Sequence, residues 1–201
     1  MRSITAVLVA AGLLVPAAVP AQRPAGLWLN GHLNASTFQS EGLPEPETGG
    51  GMGFGIGWAF TPGVMLFMHL DGATMPGATS DANYALAHAD LGFRLSAGLG
   101  SWSPYLLLAG TTRVASWEDV PADGPFGPIY YDMTLSGLGG SAGLGLQKMI
   151  GRKLALDAAV IYTKGRFTDR EVDERPVVFE TYEAETGRLV LGLSWYSRAG
   201  R

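Results

Sequence analysis

The chain contains no cysteine, which excludes a disulfide framework, a thiol nucleophile and a thiolate metal site. Beyond its first residues it also lacks any continuous apolar run of the about 20 residues that a membrane helix needs. Basic charge is short: 14 Lys and Arg stand against 18 Asp and Glu, for a formal net charge of -4. That balance argues against nucleic acid as a partner. No linker separates a second module, so one domain is expected.

What is present begins at the N-terminus. Met1-Arg2-Ser3 is followed by the apolar stretch Ile4 to Val15 and by Val19-Pro20-Ala21. A charged start, a short apolar run and a small-x-small site predict a secretory signal peptide over residues 1–21, cut after Ala21, with the mature domain over 22–201. The alternative, an N-terminal membrane anchor, is disfavoured by the shortness of the run. An exported domain without cysteine must draw its stability from something other than disulfides.

Glycine is abundant, at 29 residues, and its placement is regular. Along Met52-Gly53-Phe54-Gly55-Ile56-Gly57-Trp58-Ala59-Phe60 the large residues take one face and glycine or alanine the other, which is the period of a β-strand. Leu189, Leu191, Leu193 and Trp195 share a face in the last such block, and Leu154, Leu156, Ala158, Val160 and Tyr162 in the one before. Eight blocks result, at 26–38, 51–61, 63–74, 85–97, 104–117, 133–149, 153–167 and 187–197. Each is long enough to cross a bilayer as a tilted strand, and an even number closes antiparallel without leaving an edge in lipid. The predicted fold class is therefore all-β, an eight-stranded antiparallel up-and-down transmembrane barrel.

The connections alternate in length. Residues 61–63, 99–103 and 150–152 are short, whereas 39–50, 75–84, 118–132 and 168–186 are long, rich in Pro and Gly, and carry most of the acids. Short periplasmic turns and four long acidic extracellular loops are what such a barrel requires. Aromatic girdles are expected at Trp58, Phe60, Trp102, Tyr105 and Trp195 on one rim, and at Phe38, Tyr84, Trp117, Tyr162 and Phe167 on the other.

These pieces resemble the OmpA/OmpX-type small outer-membrane barrels. The resemblance is carried by the glycine-alternating strand ending in Phe60-Thr61-Pro62-Gly63, by Ala89-Asp90-Leu91-Gly92-Phe93-Arg94, by Ser103-Pro104-Tyr105 and by Ala142-Gly143-Leu144-Gly145-Leu146. It covers nearly the whole mature chain. It implies a cell outer-membrane location, outer-membrane lipid and lipopolysaccharide as surroundings, and the barrel-assembly machinery as a partner during insertion. The chain departs from the family where Tyr196 is followed by Ser197 to Arg201, since relatives usually finish on an aromatic; recognition would then use Gly192, Trp195 and Tyr196. No peptidoglycan-binding module is expected, and a monomer is.

With the large apolar face turned to lipid, the opposite face supplies a lumen. It would hold Asn30, His32, Asn34, His69, Asp71, His88, Asp90, Arg94, Arg113, Asp157 and Arg188. Eight strands leave an interior just wide enough for side chains to fill, and three acids with three arginines can compensate each other's charge. A polar plug follows, with a structural or surface-interaction role. His69 and Asp71 beside His88 and Asp90 offer imidazole and carboxylate to a divalent metal, but their spacing matches no metal motif, so no metal or cofactor is expected. Ser80 with Asp81, or Ser116 with Glu118, supplies a serine and an acid without a histidine base, so no catalysis is expected. Glycines at 49–57 and 137–145 lack the lysine and helix of a phosphate loop. Three alternatives stay open: a conduit or binder for small or hydrophobic molecules, a soluble lipocalin-like periplasmic binder with its apolar face inward, and a lipid A-modifying enzyme.

Overall fold

A computed structural model describes residues 25–198, apart from 42, 44, 78–82, 99–100, 125–126 and 179. The expected signal peptide, 1–21, lies outside the described residues. The strands are β1 (Ala25–Ser40), β2 (Glu47–Thr61), β3 (Val64–Met75), β4 (Tyr84–Ser96), β5 (Trp102–Gly124), β6 (Gly127–Met149), β7 (Leu154–Val172), β8 (Arg175–Val177) and β9 (Tyr182–Arg198). Every pairing is antiparallel, between sequence neighbours from β1 to β7, then β7 with β9 and β9 with β1. Eight strands thus close a barrel. The short β8 lies outside it, attached only to the upper end of β7 through Val172 and Arg175.

Closure follows from the period-2 pattern. Leu33 faces out and pairs with Met52 on one side and Leu191 on the other, all three exposed. Trp28, Phe67, Leu107 and Ile161, on the opposite parity, are buried inside. An outward apolar face on a sheet with no edge is the arrangement that satisfies every backbone group within lipid. It excludes the lipocalin arrangement, in which the apolar face turns inward. Near the short turns the outer surface carries Trp58, Phe60, Trp102 and Trp195, all exposed. Towards the other end it becomes charged, where Lys164 and Arg166 pair with Glu183 and Glu185.

Four sequence expectations differ from the structure. The segment 118–132 is not a loop: β5 and β6 continue as a paired hairpin to Gly124 and Gly127. Likewise 168–186 contains the end of β7, all of β8 and the start of β9, with Asp173 and Glu174 both left-handed at φ 47° and 61° in a two-residue turn. Such a turn matches the strand twist. Of the second aromatic girdle only Tyr162 faces outward, because Phe38, Tyr84 and Phe167 point inward and cap the lumen and Trp117 lies on the same inward series. Tyr105, assigned to the first girdle, is also internal. The reason is parity: each lies on the inward series of its strand.

The inner glycines of β2 admit large neighbours. A Cβ at Gly53 would stand 2.5 Å from His32 Nε2 and 2.8 Å from Asp71 Oδ1, and one at Gly55 would run into the His69 ring. Glycine is required there for close approach rather than for backbone freedom.

Candidate functional site

The lumen is stratified. At the short-turn end is a polar layer built on Arg94 and Asp157. Above it comes an apolar layer of Trp28, Met65, Phe67, Leu107, Ile161 and Val190. A second polar layer is centred on Arg188. The last is apolar again, with Phe38, Met75, Leu86, Leu135 and Phe167. The interior is therefore not a uniformly polar plug. The apolar strata lower the local dielectric around the charged groups and strengthen their electrostatics, while Asn30 and Ser194 join the two polar layers along the β1–β9 wall.

In the lower polar layer, Arg94 on β4 donates from Nη1 to Asp157 Oδ2 on β7 at 3.0 Å, across the barrel. The Tyr105 hydroxyl donates to the other oxygen of Asp157, and the Arg94 guanidinium lies 3.6 Å over the Tyr105 ring. Gln147 Nε2 and Ser194 Oγ each donate to Asp157 Oδ2 at 3.2 Å, and the Tyr196 hydroxyl donates to Gln147 Oε1 at 2.9 Å. One buried carboxylate thus receives donors from four other strands.

The upper polar layer turns on Arg188 of β9, which is 1% exposed. Its Nη1 donates to Asp71 Oδ2 at 2.7 Å and its Nη2 to Asp90 Oδ2 at 2.8 Å. Nη2 also lies 3.0 Å from Thr163 Oγ1. Thr111 donates to the remaining oxygen of Asp90 at 2.5 Å, and Ser141 donates to the same atom at 3.1 Å. His32 presents Nε2 to Asp71 Oδ1 at 2.5 Å and Nδ1 to Asn30 Oδ1 at 2.6 Å. Asn30 is itself oriented by donation to Leu193 O and Ser194 Oγ. Asn34 donates to Gly72 O at 3.3 Å and accepts from Ser36.

Arg113 departs from the expected set of ion pairs. It is fully buried, yet Nη1 donates to the Ala184 carbonyl at 2.9 Å and the guanidinium sits 4.9 Å over the Phe167 ring. A carbonyl and an aromatic face are weaker partners than a carboxylate.

His69, Asp71 and Asp90 bring ligand atoms within 4.8 Å of one another, while His88 stands aside in register with Asp71. Both carboxylates already hold Arg188, so a fixed positive charge occupies the space that a divalent ion would need. The residues fit a guanidinium better than a metal. The serines considered for catalysis are also placed apart from histidine: Ser116 faces outward and pairs with Thr134 at 3.3 Å, the three histidines lie in the lumen, and Ser80 and Asp81 fall outside the described residues. Sequence reasoning passed over Tyr105, Thr111, Ser141, Gln147, Thr163 and Tyr196. Their inward parity was the available signal.

No family model and no curated protein matches the chain. Solved structures do. The Neisserial surface protein A (NspA) superposes with a TM-score of 0.66 at 14% identity, covering 85% of this chain and 97% of that one. Ail, the attachment invasion locus protein of Yersinia pestis, gives 0.55 at 14% identity over 86% and 98%. The outer membrane protein AlkL gives 0.55 at 14% identity over 92% and 96%. Identities this low speak for architecture alone. In fold, the chain is similar to these small outer-membrane barrels: a closed barrel of eight antiparallel strands.

Proposed function

We propose that the chain is an integral outer-membrane protein whose closed barrel is a structural and surface-presenting element rather than a channel or an enzyme. One observation carries the reading: the lumen is filled. Two spaces among its side chains measure about 20 Å³ near Arg94 and Gln147, at the short-turn end, and about 10 Å³ beside Phe67 and Ile161, room for about one water each. The outward apolar surface, bounded by tryptophans at one end and by ion pairs at the other, supports a bilayer setting. The likeness to outer-membrane barrels supports the choice of membrane. Lipid and lipopolysaccharide would surround the wall, and the assembly machinery would insert it after export and cleavage at Ala21.

In this reading the short turns face the periplasm and the hairpin ends face outward. A glutamate-specific protease added to intact cells is then expected to cut at Glu41, Glu174 or Glu180, and trypsin to spare Arg152 and Lys153 until the envelope is opened. Cleavage at Arg152 or Lys153 in intact cells, with Glu41 and Glu180 protected, would invert the topology. Recovery of the chain in the soluble periplasmic fraction would overturn the reading itself.

A further inference from the structure

Above the uppermost apolar layer the barrel opens into a bowl of about 490 Å³, within the size range of small-molecule sites. Leu135 and Met133 line it on the β6 side. Its wall is aromatic: Phe38, Tyr84, Trp117 and Tyr182 all line it. Trp117 and Tyr84 are stacked with centroids 4.6 Å apart, and Phe38 meets Tyr84 edge-on at 6.2 Å. Carboxylates complete the wall, from Glu41, Glu47 and Glu180, and no lysine or arginine is among its lining residues. Glu47 is only 6% exposed and accepts a hydrogen bond from the Tyr84 hydroxyl. It is thereby held at the aromatic wall.

We propose that this bowl is a binding site for a small organic cation, of the quaternary ammonium type. Three features select that chemistry over others. Aromatic faces attract a weakly hydrated positive charge through the ring quadrupole, and more so where water is thin. A carboxylate held in a partly desolvated wall supplies the matching charge at close range. An anion would meet three glutamates, and a neutral molecule would gain nothing from their charge. The nearest arginines do not contradict this. Arg113 lies two inward positions below Trp117 on β5, over the Phe167 ring, and both it and Arg170 act on Tyr182 without being among the lining residues. The proposal does not depend on which side of a membrane the bowl faces.

The test is a titration of the purified full chain in a maltoside detergent, which carries no ammonium group, followed by saturation-transfer NMR. The probes are choline and its neutral isostere 3,3-dimethyl-1-butanol. Choline is expected to bind saturably and at least about tenfold more tightly than the isostere. Glu47→Gln and Trp117→Leu are each expected to weaken choline about tenfold, with Glu180→Gln as the substitute if Glu47→Gln does not fold by unheated gel migration. Equal binding of the two probes would leave a merely apolar bowl and overturn the proposal. So would the absence of saturable choline binding to the wild type, or choline binding that the folded variants do not change.

Discussion

Arg188→Leu is expected to lower the stability of the folded barrel by about 3–5 kcal/mol, the cost of leaving buried charges without a partner. Arg188 joins β9 to β3 and β4 through Asp71 and Asp90, and its side chain is inaccessible to solvent. Removing it strands two carboxylates in one layer, with His32, Thr111 and Ser141 left as donors among the described residues. Arg188→Lys should fall between, because one ammonium cannot span both carboxylates as the guanidinium fork does. Leucine at 188 together with Asp71→Asn and Asp90→Asn should recover much of the loss, since no unpaired charge then remains. Urea unfolding in lipid vesicles reads all four proteins. A single variant as stable as the wild type would show that the layer does not hold the barrel as described.

The second large effect is on the outer face. Leu191 is 57% exposed and lies on β9 between Glu185, which is paired with Lys164, and the rim residue Trp195. If that face meets hydrocarbon, Leu191→Arg costs about 2–4 kcal/mol, whereas Leu138→Arg, in register with Arg166 near the charged end, costs about 0–1 kcal/mol. If water covered both, each change would stay within about 0.5 kcal/mol. The same unfolding measurement separates the cases: a depth-dependent penalty is expected, and two equal, small effects would remove the membrane from the account.

Why the wall was legible and part of the interior was not comes down to range. Alternation along Met52 to Phe60 is a local property, and it set both the strand and its outward face. It also put Asp157 and Arg94 on the inward side, but their pairing spans 63 positions. That contact depends on the tilt and stagger of strands around the closed barrel, which no local pattern encodes. Arg113 illustrates the limit: charge counting suggested a carboxylate, and register gave it the Ala184 carbonyl and a ring. Beyond the apolar band the pattern itself fades. The β5–β6 hairpin has a register shift between Trp117 and Val120, with Asp119 left-handed at φ 53° and its amide donating to Asp132 Oδ1. A shift of one residue exchanges the two faces, so the upper hairpin read as a loop. Phe38, Tyr84 and Phe167 were misplaced for a different reason. Aromatics near strand ends were assigned to a girdle by position, when parity already sent them inside.

A closed interior is what the proposed function most requires of the barrel. In the proposed reading the apolar and charged layers close the lumen to water, and opening a path would mean separating pairs such as Arg188 and Asp90 in a water-poor layer. Single-channel recording of the purified protein in planar bilayers, in potassium chloride, tests this most directly. The wild type is expected to insert without steady conductance steps. Large, stable and reproducible steps would contradict the filled lumen and make transport, rather than surface presentation, the function to explain.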